Sequence, residues 1–231
     1  MALAVSNASY LCFNTAALLL LLNGLRAVIT RPLPHHLEHA GPFQFLTNLS
    51  LIVTVVSLVF NIVAALPLPR FFDFFKTTLT SYATLTALVL EFIVSSIYWS
   101  LKLFFLHLIV NTDEIPPDKF IPLWLDFTVH LAPFIVLSID SFFLKRDTPK
   151  RLYAVIVAIM ATLTVGYWLL LEHLVSNAKL VYPLSEYPYP FLNVDHGMRA
   201  VIFAGVIALA LVVVYVVEQL EARGSVKAKV E

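Results

Sequence analysis

The sequence predicts an all-α membrane protein, a bundle of six transmembrane helices with both termini on the cytosolic side. Three observations predict it. The 231-residue chain is 60% hydrophobic and only 13% charged, with a mean hydropathy of +0.87. A soluble domain carries roughly 45–50% apolar and about 25% charged residues. The apolar residues fall into six runs, each matching the ~20 residues that a helix needs to cross a bilayer. Basic residues gather in alternate connections between those runs. The formal net charge is zero, so nothing directs the chain to nucleic acid. The one cysteine, Cys12, excludes an intramolecular disulfide and a cysteine-based metal site. No stretch remains for a soluble domain once the runs are removed. Residues 1–231 are therefore expected to form a single transmembrane domain.

The six runs have ends defined to about 2–4 residues by the pattern. The first, 9–29, lacks the basic leader and small-residue cleavage site of a signal peptide, so it is read as a helix. The others are 43–66, 80–108, 120–143, 152–175 and 198–219. They are separated by "RPLPHHLEHAGP", "PLPRFFDFFK", "NTDEIPPDK", "KRDTPKR" and "SNAKLVYPLSEYPYPFLNVDHG". Pro and Gly in these separators fit turns and helix starts. The second and fourth connections and the tail carry Arg70, Lys76, Lys145, Arg146, Lys150, Arg151, Arg223, Lys227 and Lys229. The opposite side carries Arg31, Lys119 and Lys179. The richer side is the cytosolic one. The sequon at Asn7 is then cytosolic and the one at Asn48 lies inside a span, so neither is expected to be glycosylated.

Helical spacing places polar side chains on single faces within three spans. Thr47, Ser50, Thr54, Ser57 and Asn61 recur at intervals of three and four in the second. Glu91, Ser95, Tyr98 and Lys102 do so in the third. Asp126, His130, Pro133 and Asp140 do so in the fourth. Ionisable groups are costly in lipid, so these faces should turn toward one another. Ser50, Thr54 and Ser57 are mainly helix-packing contacts on this reading. Glu91 is either a functional acid or a protonated, hydrogen-bonded one. Lys102 is read as snorkelling to the interface. Asp126 and His130 stand one turn apart. A carboxylate beside an imidazole orients it and suits it to act as a general base. The alternative is a histidine satisfied by a neighbouring helix.

Three stretches together carry a resemblance: "FQFLTNLSL" at 43–51, "FIPLWLDFTVHLAPFIVL" at 120–137 and "VGYWLLLEHLVSNAKLVYPLSEY" at 165–187. In order and spacing they resemble the androgen-induced-gene family of transmembrane threonine hydrolases, at the distance of a fungal or other lower-eukaryote relative. The resemblance covers nearly the whole chain. It implies hydrolysis of fatty acid esters of hydroxy fatty acids. The family's catalytic threonine, in a "KFLT" motif, falls on Thr47 in "QFLT". Its catalytic histidine, six residues after the Trp of "WLNHxxH", falls on His130, six residues after Trp124. The chain departs from that motif at Asp126 and Phe127, where the family has Asn and His. This puts the substrate in question more than the reaction.

A threonine hydroxyl needs a base before it attacks, and an imidazole with an unperturbed pKa near 6.5 is suited to the task. Thr47 is thus the expected nucleophile and His130 the expected base, with Asp126, Asn48 and Glu91 in support. Asn48 is a candidate oxyanion donor. Depth within the bilayer opposes the pairing. At ~1.5 Å per residue Thr47 lies about 6 Å deep and His130 about 15 Å, a mismatch of ~9 Å. The pairing therefore requires the second helix to start nearer His39, or the fourth to tilt, kink at Pro122 or Pro133, or start later. A lipid ester entering sideways from the bilayer is the expected partner, and its free carboxylate would meet Arg26, Arg31, Lys119 or Arg199. "HHLEH" at 35–39 has metal-ligand chemistry but also suits a polar loop. No metal or other cofactor is expected. His196 beside Asp195 would contact substrate or a helix terminus. His107 and His173 are read as interfacial, and the compartment as endoplasmic reticulum or plasma membrane. Two other classes compete with this reading. A proton-coupled transporter or channel would employ Glu91, Asp126, His130 and Asp140, though the chain lacks the inverted repeat such proteins use. A non-catalytic regulator would need none of them for turnover.

Overall fold

The computed structural model describes residues 6–109, 121–144 and 153–227, with side chains of the last helix described to residue 220. Among them lie α1 (Asn7–Ile29), the short α2 (His35–Glu38), α3 (Leu46–Ala65), α4 (Thr80–Phe104), α5 (Leu123–His130), α6 (Ala132–Phe142), α7 (Tyr153–Val181) and α8 (His196–Lys227). Among the described residues six helical stretches are long and apolar enough to cross a membrane. The chain is an integral, multi-pass, all-α membrane protein.

Local chemistry sets the ends. Ser6 caps α1 by accepting from the Ser9 N–H at 3.1 Å, and Pro32 follows its last turn. Gly41, at φ 74°, turns the chain out of α2, and a single 3₁₀ turn over Pro42–Gln44 leads to α3. Three spans differ from their expected limits. The third begins at Arg70, because a 3₁₀ turn and a π turn over Phe75–Leu79 extend the helix. It ends at Phe104, where Phe105 leaves helical geometry at φ −144°, ψ 49°. The fourth is two helices rather than one. Leu131 departs to φ −131°, ψ −44°, since Pro133 has no N–H for the Val129 carbonyl and its ring crowds that turn. The fifth runs on to Val181, as nothing in "EHLVSNAKLV" breaks it before Pro183.

α4 is the central helix. Its Leu85, Leu88, Val89 and Ile93 pack with Leu137 of α6, Ile156 and Met160 of α7, and Val213 and Val214 of α8. On its other side α3 packs against α4 and α1. There Leu21 of α1, Leu51 and Leu58 of α3 and Val129 of α5 form a second core. α1 and α5 approach closely at Gly24, where an added Cβ would lie 2.8 Å from the Thr128 methyl. Large apolar residues such as Leu19, Leu169, Val201 and Val212 are exposed on the outside, as lipid-facing surfaces require. The polar stripes are buried: Thr47, Ser50, Thr54, Ser57 and Asn61 all face inward, as do Glu91, Asp126, His130 and Asp140. In a bilayer this arrangement hides polar groups among other polar groups.

Candidate functional site

A cavity of about 1690 Å³ opens at the end of the bundle away from the termini. That exceeds the roughly 300–1,000 Å³ of ordinary small-molecule sites and leaves room for a long-chain ligand. Its wall is drawn from the end of α1, from α2, the starts of α3 and α8, the ends of α4 and α7, and α5. The connection between α7 and α8, a strap carrying Tyr182, Tyr187 and Tyr189, completes it.

Thr47 and His130 both border this cavity. The helix starts leave the expected depth mismatch of ~9 Å unchanged, because α3 and α5 each begin three residues later than expected. α3 starts at Leu46, not near His39, so Thr47 is the second residue of its helix. α5 starts at Leu123 and stops at His130, where the chain breaks. His130 is 5% and Thr47 8% exposed, so each is nearly enclosed.

His130 is held by an extended set of partners. Its Nδ1 lies 2.8 Å from Asp126 Oδ1. Facing a carboxylate, Nδ1 carries the proton, and Nε2 is left as the acceptor. The Tyr98 hydroxyl donates to the same Oδ1 at 2.6 Å. Its ring stacks on the imidazole with centroids 3.4 Å apart and planes 1° from parallel. Lys102 makes an ion pair with Asp126 Oδ2 and lies over the Tyr98 and Trp99 rings at 5.6 and 5.3 Å. Lys102 therefore does more than snorkel. Spacing carried a signal for this, since Tyr98 and Lys102 are separated by one turn, just as Asp126 and His130 are.

The other expected site residues divide. Asn48 borders the cavity beside Thr47, but its Nδ2 donates to the Pro42 carbonyl at 2.7 Å, leaving one amide proton for any other acceptor. Glu91 is fully enclosed, accepts from Thr54 at 2.8 Å and is not part of the cavity wall. Asp140 lies in another buried cluster, accepting from Asn14 at 3.4 Å and from Asn61 at 3.1 Å. Arg31 and Arg199 border the cavity, whereas Arg26 is exposed on α1 and outside the wall. Lys119 lies outside the described residues. Arg199 Nε donates to Glu172 at 2.9 Å, so its charge is already partnered. Glu172 also accepts from Trp168 at 3.0 Å and Tyr187 at 2.7 Å. The His196 ring packs at a tilt against Trp168, with centroids 5.1 Å apart, near this cluster. His107 lies in a 3₁₀ turn after α4, and His173 is exposed and bonded to Asn177. In "HHLEH", His35 Nδ1 is 3.4 Å from Glu38 and its ring packs on Tyr182. Among the described residues no three metal-type side chains converge.

Sequence reasoning left two further wall residues unassigned. Lys179, expected in a loop, extends from the last turn of α7 over the Tyr187 ring at 5.7 Å. Tyr189 of the strap reaches the Thr47 side chain and the backbone at Leu46 and Thr47. Burial pushes its phenol up to about 12, so at neutral pH it is an O–H donor next to Thr47. No periodicity marks a strap residue, which is why neither the pattern nor the spacing singled it out.

The fold and this cavity define a polytopic membrane protein with a large, open cavity at one end, bordered by a few buried polar side chains. The chain belongs to the FAR-17a/AIG1-like family, whose model matches residues 11–222. It is 31% identical over 204 residues to the UPF0641 membrane protein YHR140W of Saccharomyces cerevisiae, covering 84% of this chain and 82% of the relative. It is 27% identical over 185 residues to the UPF0641 membrane protein PJ4664.05 of Schizosaccharomyces pombe, covering 78% and 74%. No solved structure matches the chain.

Proposed function

We propose that this protein is an intramembrane hydrolase of lipid esters, with Thr47 as nucleophile and His130 as base. The observation that carries the reading is the shared cavity: Thr47 and a carboxylate-anchored His130 border the same space. Family membership supports the same pair of positions. His130 Nε2 takes the Thr47 proton as Oγ1 attacks the ester carbonyl. The negative charge of the tetrahedral intermediate faces the Tyr189 hydroxyl and the remaining Asn48 amide proton. The intermediate collapses, the C–O bond breaks, and His130 returns the proton to the departing hydroxy acid. Water then gives a proton to His130 and its hydroxide equivalent to the acyl carbon; as the acyl–Oγ1 bond breaks, His130 passes that proton to Oγ1, regenerating Thr47 and releasing a fatty acid. Asp126 keeps the imidazole in the tautomer that both half-reactions need.

The substrate class this reading favours is fatty acid esters of hydroxy fatty acids, admitted from the bilayer. Lys179 is the wall cation best placed to meet a free carboxylate, since Lys102 and Arg199 already pair with Asp126 and Glu172. The site is read as lumenal or extracellular, in the endoplasmic reticulum or plasma membrane. The test is release of fatty acid from such an ester by the purified protein in proteoliposomes. Thr47→Ala and His130→Ala are each expected to lower the rate by at least about 10³-fold. Proton flux lost in Glu91→Gln and untouched by Thr47→Ala would replace the reading with a transporter.

A further inference from the structure

We propose that Tyr98 is the positioning residue for the His130 imidazole: its ring lies flat on the imidazole and its hydroxyl binds the Asp126 oxygen that receives Nδ1. This rests on the reading of His130 as the base. An imidazole has two freedoms that matter to a base, tilt out of its plane and rotation within it. The stack, with centroids 3.4 Å apart and planes 1° from parallel, blocks the tilt. The rotation is set by Asp126 Oδ1, 2.8 Å from Nδ1, and that oxygen is itself fixed by the Tyr98 hydroxyl at 2.6 Å. One side chain thus controls both freedoms.

The backbone explains why such a clamp is needed. His130 is the last residue of an eight-residue helix, and the chain leaves helical geometry at the next residue. Asp126 stands on the same short helix, so the Asp126–His130 pair cannot by itself fix its position against the rest of the bundle. Tyr98 belongs to α4, the central helix, and Lys102 one turn later holds the other oxygen of Asp126. Two pairs, each separated by one helical turn, interlock across the α4–α5 contact. The Tyr98 hydroxyl is engaged by Asp126, which leaves it unsuited to act as base or oxyanion donor itself.

The test uses full-length protein in detergent and a fluorophosphonate probe, with kinact, KI and the final labelled fraction measured separately. Tyr98→Phe keeps the stack and loses the hydroxyl, and Tyr98→Leu loses both. A positioning role predicts kinact lower by roughly tenfold in Tyr98→Phe and about a hundredfold in Tyr98→Leu, with KI and labelled fraction unchanged. Wild-type kinact in both variants overturns the proposal. So does a reduced labelled fraction at unchanged kinact, which is the mark of a merely structural residue. A second measurement keeps the proposal separable from the hydrolase reading if wild type takes no label. The ¹⁵N ring signals of His130, assigned by difference with His130→Gln, should show one form protonated at Nδ1 in wild type. In Tyr98→Leu they should broaden or move toward a tautomer average. Identical signals in the two proteins overturn the clamp whatever the activity.

Discussion

The two oxygens of Asp126 are divided between partners, Tyr98 and His130 on one and Lys102 on the other. Asp126 is fully enclosed, so its charge depends on Lys102. Lys102→Met should destabilise the fold by roughly 3–5 kcal/mol, the scale for breaking a buried ion pair. Adding Asp126→Asn should restore much of that loss, because the amide carries no charge and its oxygen still accepts from His130. Thermal unfolding midpoints of the two single variants and the double variant measure this, and simple additivity would refute the ion pair as the reason. Tyr189 makes a second prediction at this scale. Tyr189→Phe should lower the fluorophosphonate labelling rate by about 10²-fold, the usual effect of losing one oxyanion donor. An unchanged rate would remove Tyr189 from the mechanism.

The strap between α7 and α8 is the element that closes the cavity, and it is held at two places. Its Glu186 N–H donates to the His36 carbonyl at 3.1 Å, while Tyr187 reaches Glu172 at 2.7 Å. Glu172→Ala removes the acceptor shared by Trp168, Tyr187 and Arg199. Hydrogen exchange over residues 183–195 should then accelerate by at least roughly tenfold. Burial pushes Tyr187 up to about 12, aided by its bond to Glu172, and pushes Tyr189 up to about 12. Both favour the neutral phenol when docked. Their contribution is complete below about pH 10, where the undocked phenols begin to ionise, and is lost as pH rises toward 12. Exchange in the strap should therefore stay flat to about pH 10, after correction for the intrinsic rate, and rise above it. The inward faces of these helices were legible in the sequence, because the 3.6-residue period alone puts Thr47, Thr54 and Asn61 on one side. Pro133 likewise announced a disturbed fourth span. The strap was not legible, since its course depends on Glu172, Arg199 and His36, three residues far apart in sequence. For the same reason spacing put Asp126 with His130 and Tyr98 with Lys102 on single faces, but which of these side chains bond across α4 and α5 could not be read from it.

The whole molecule is a bundle whose large cavity lies at one end and whose apolar exterior suits lipid. Orientation is open to a direct check. In a Cys12→Ser background, Lys179→Cys at the cavity end should react with a membrane-impermeant maleimide only from the lumenal or external side. Gln219→Cys, exposed near the end of α8, should react only from the cytosolic side. The reverse pattern would invert the bundle and place the cavity in the cytosol. The reading of the molecule as a hydrolase depends most on an activated Thr47. The most direct measurement is fluorophosphonate labelling of wild type, Thr47→Ala and His130→Ala in detergent, with the adduct located by mass spectrometry. The account predicts labelling of wild type at Thr47 and none in either variant. Labelling that survives Thr47→Ala, or folded wild type that takes no label, would contradict it.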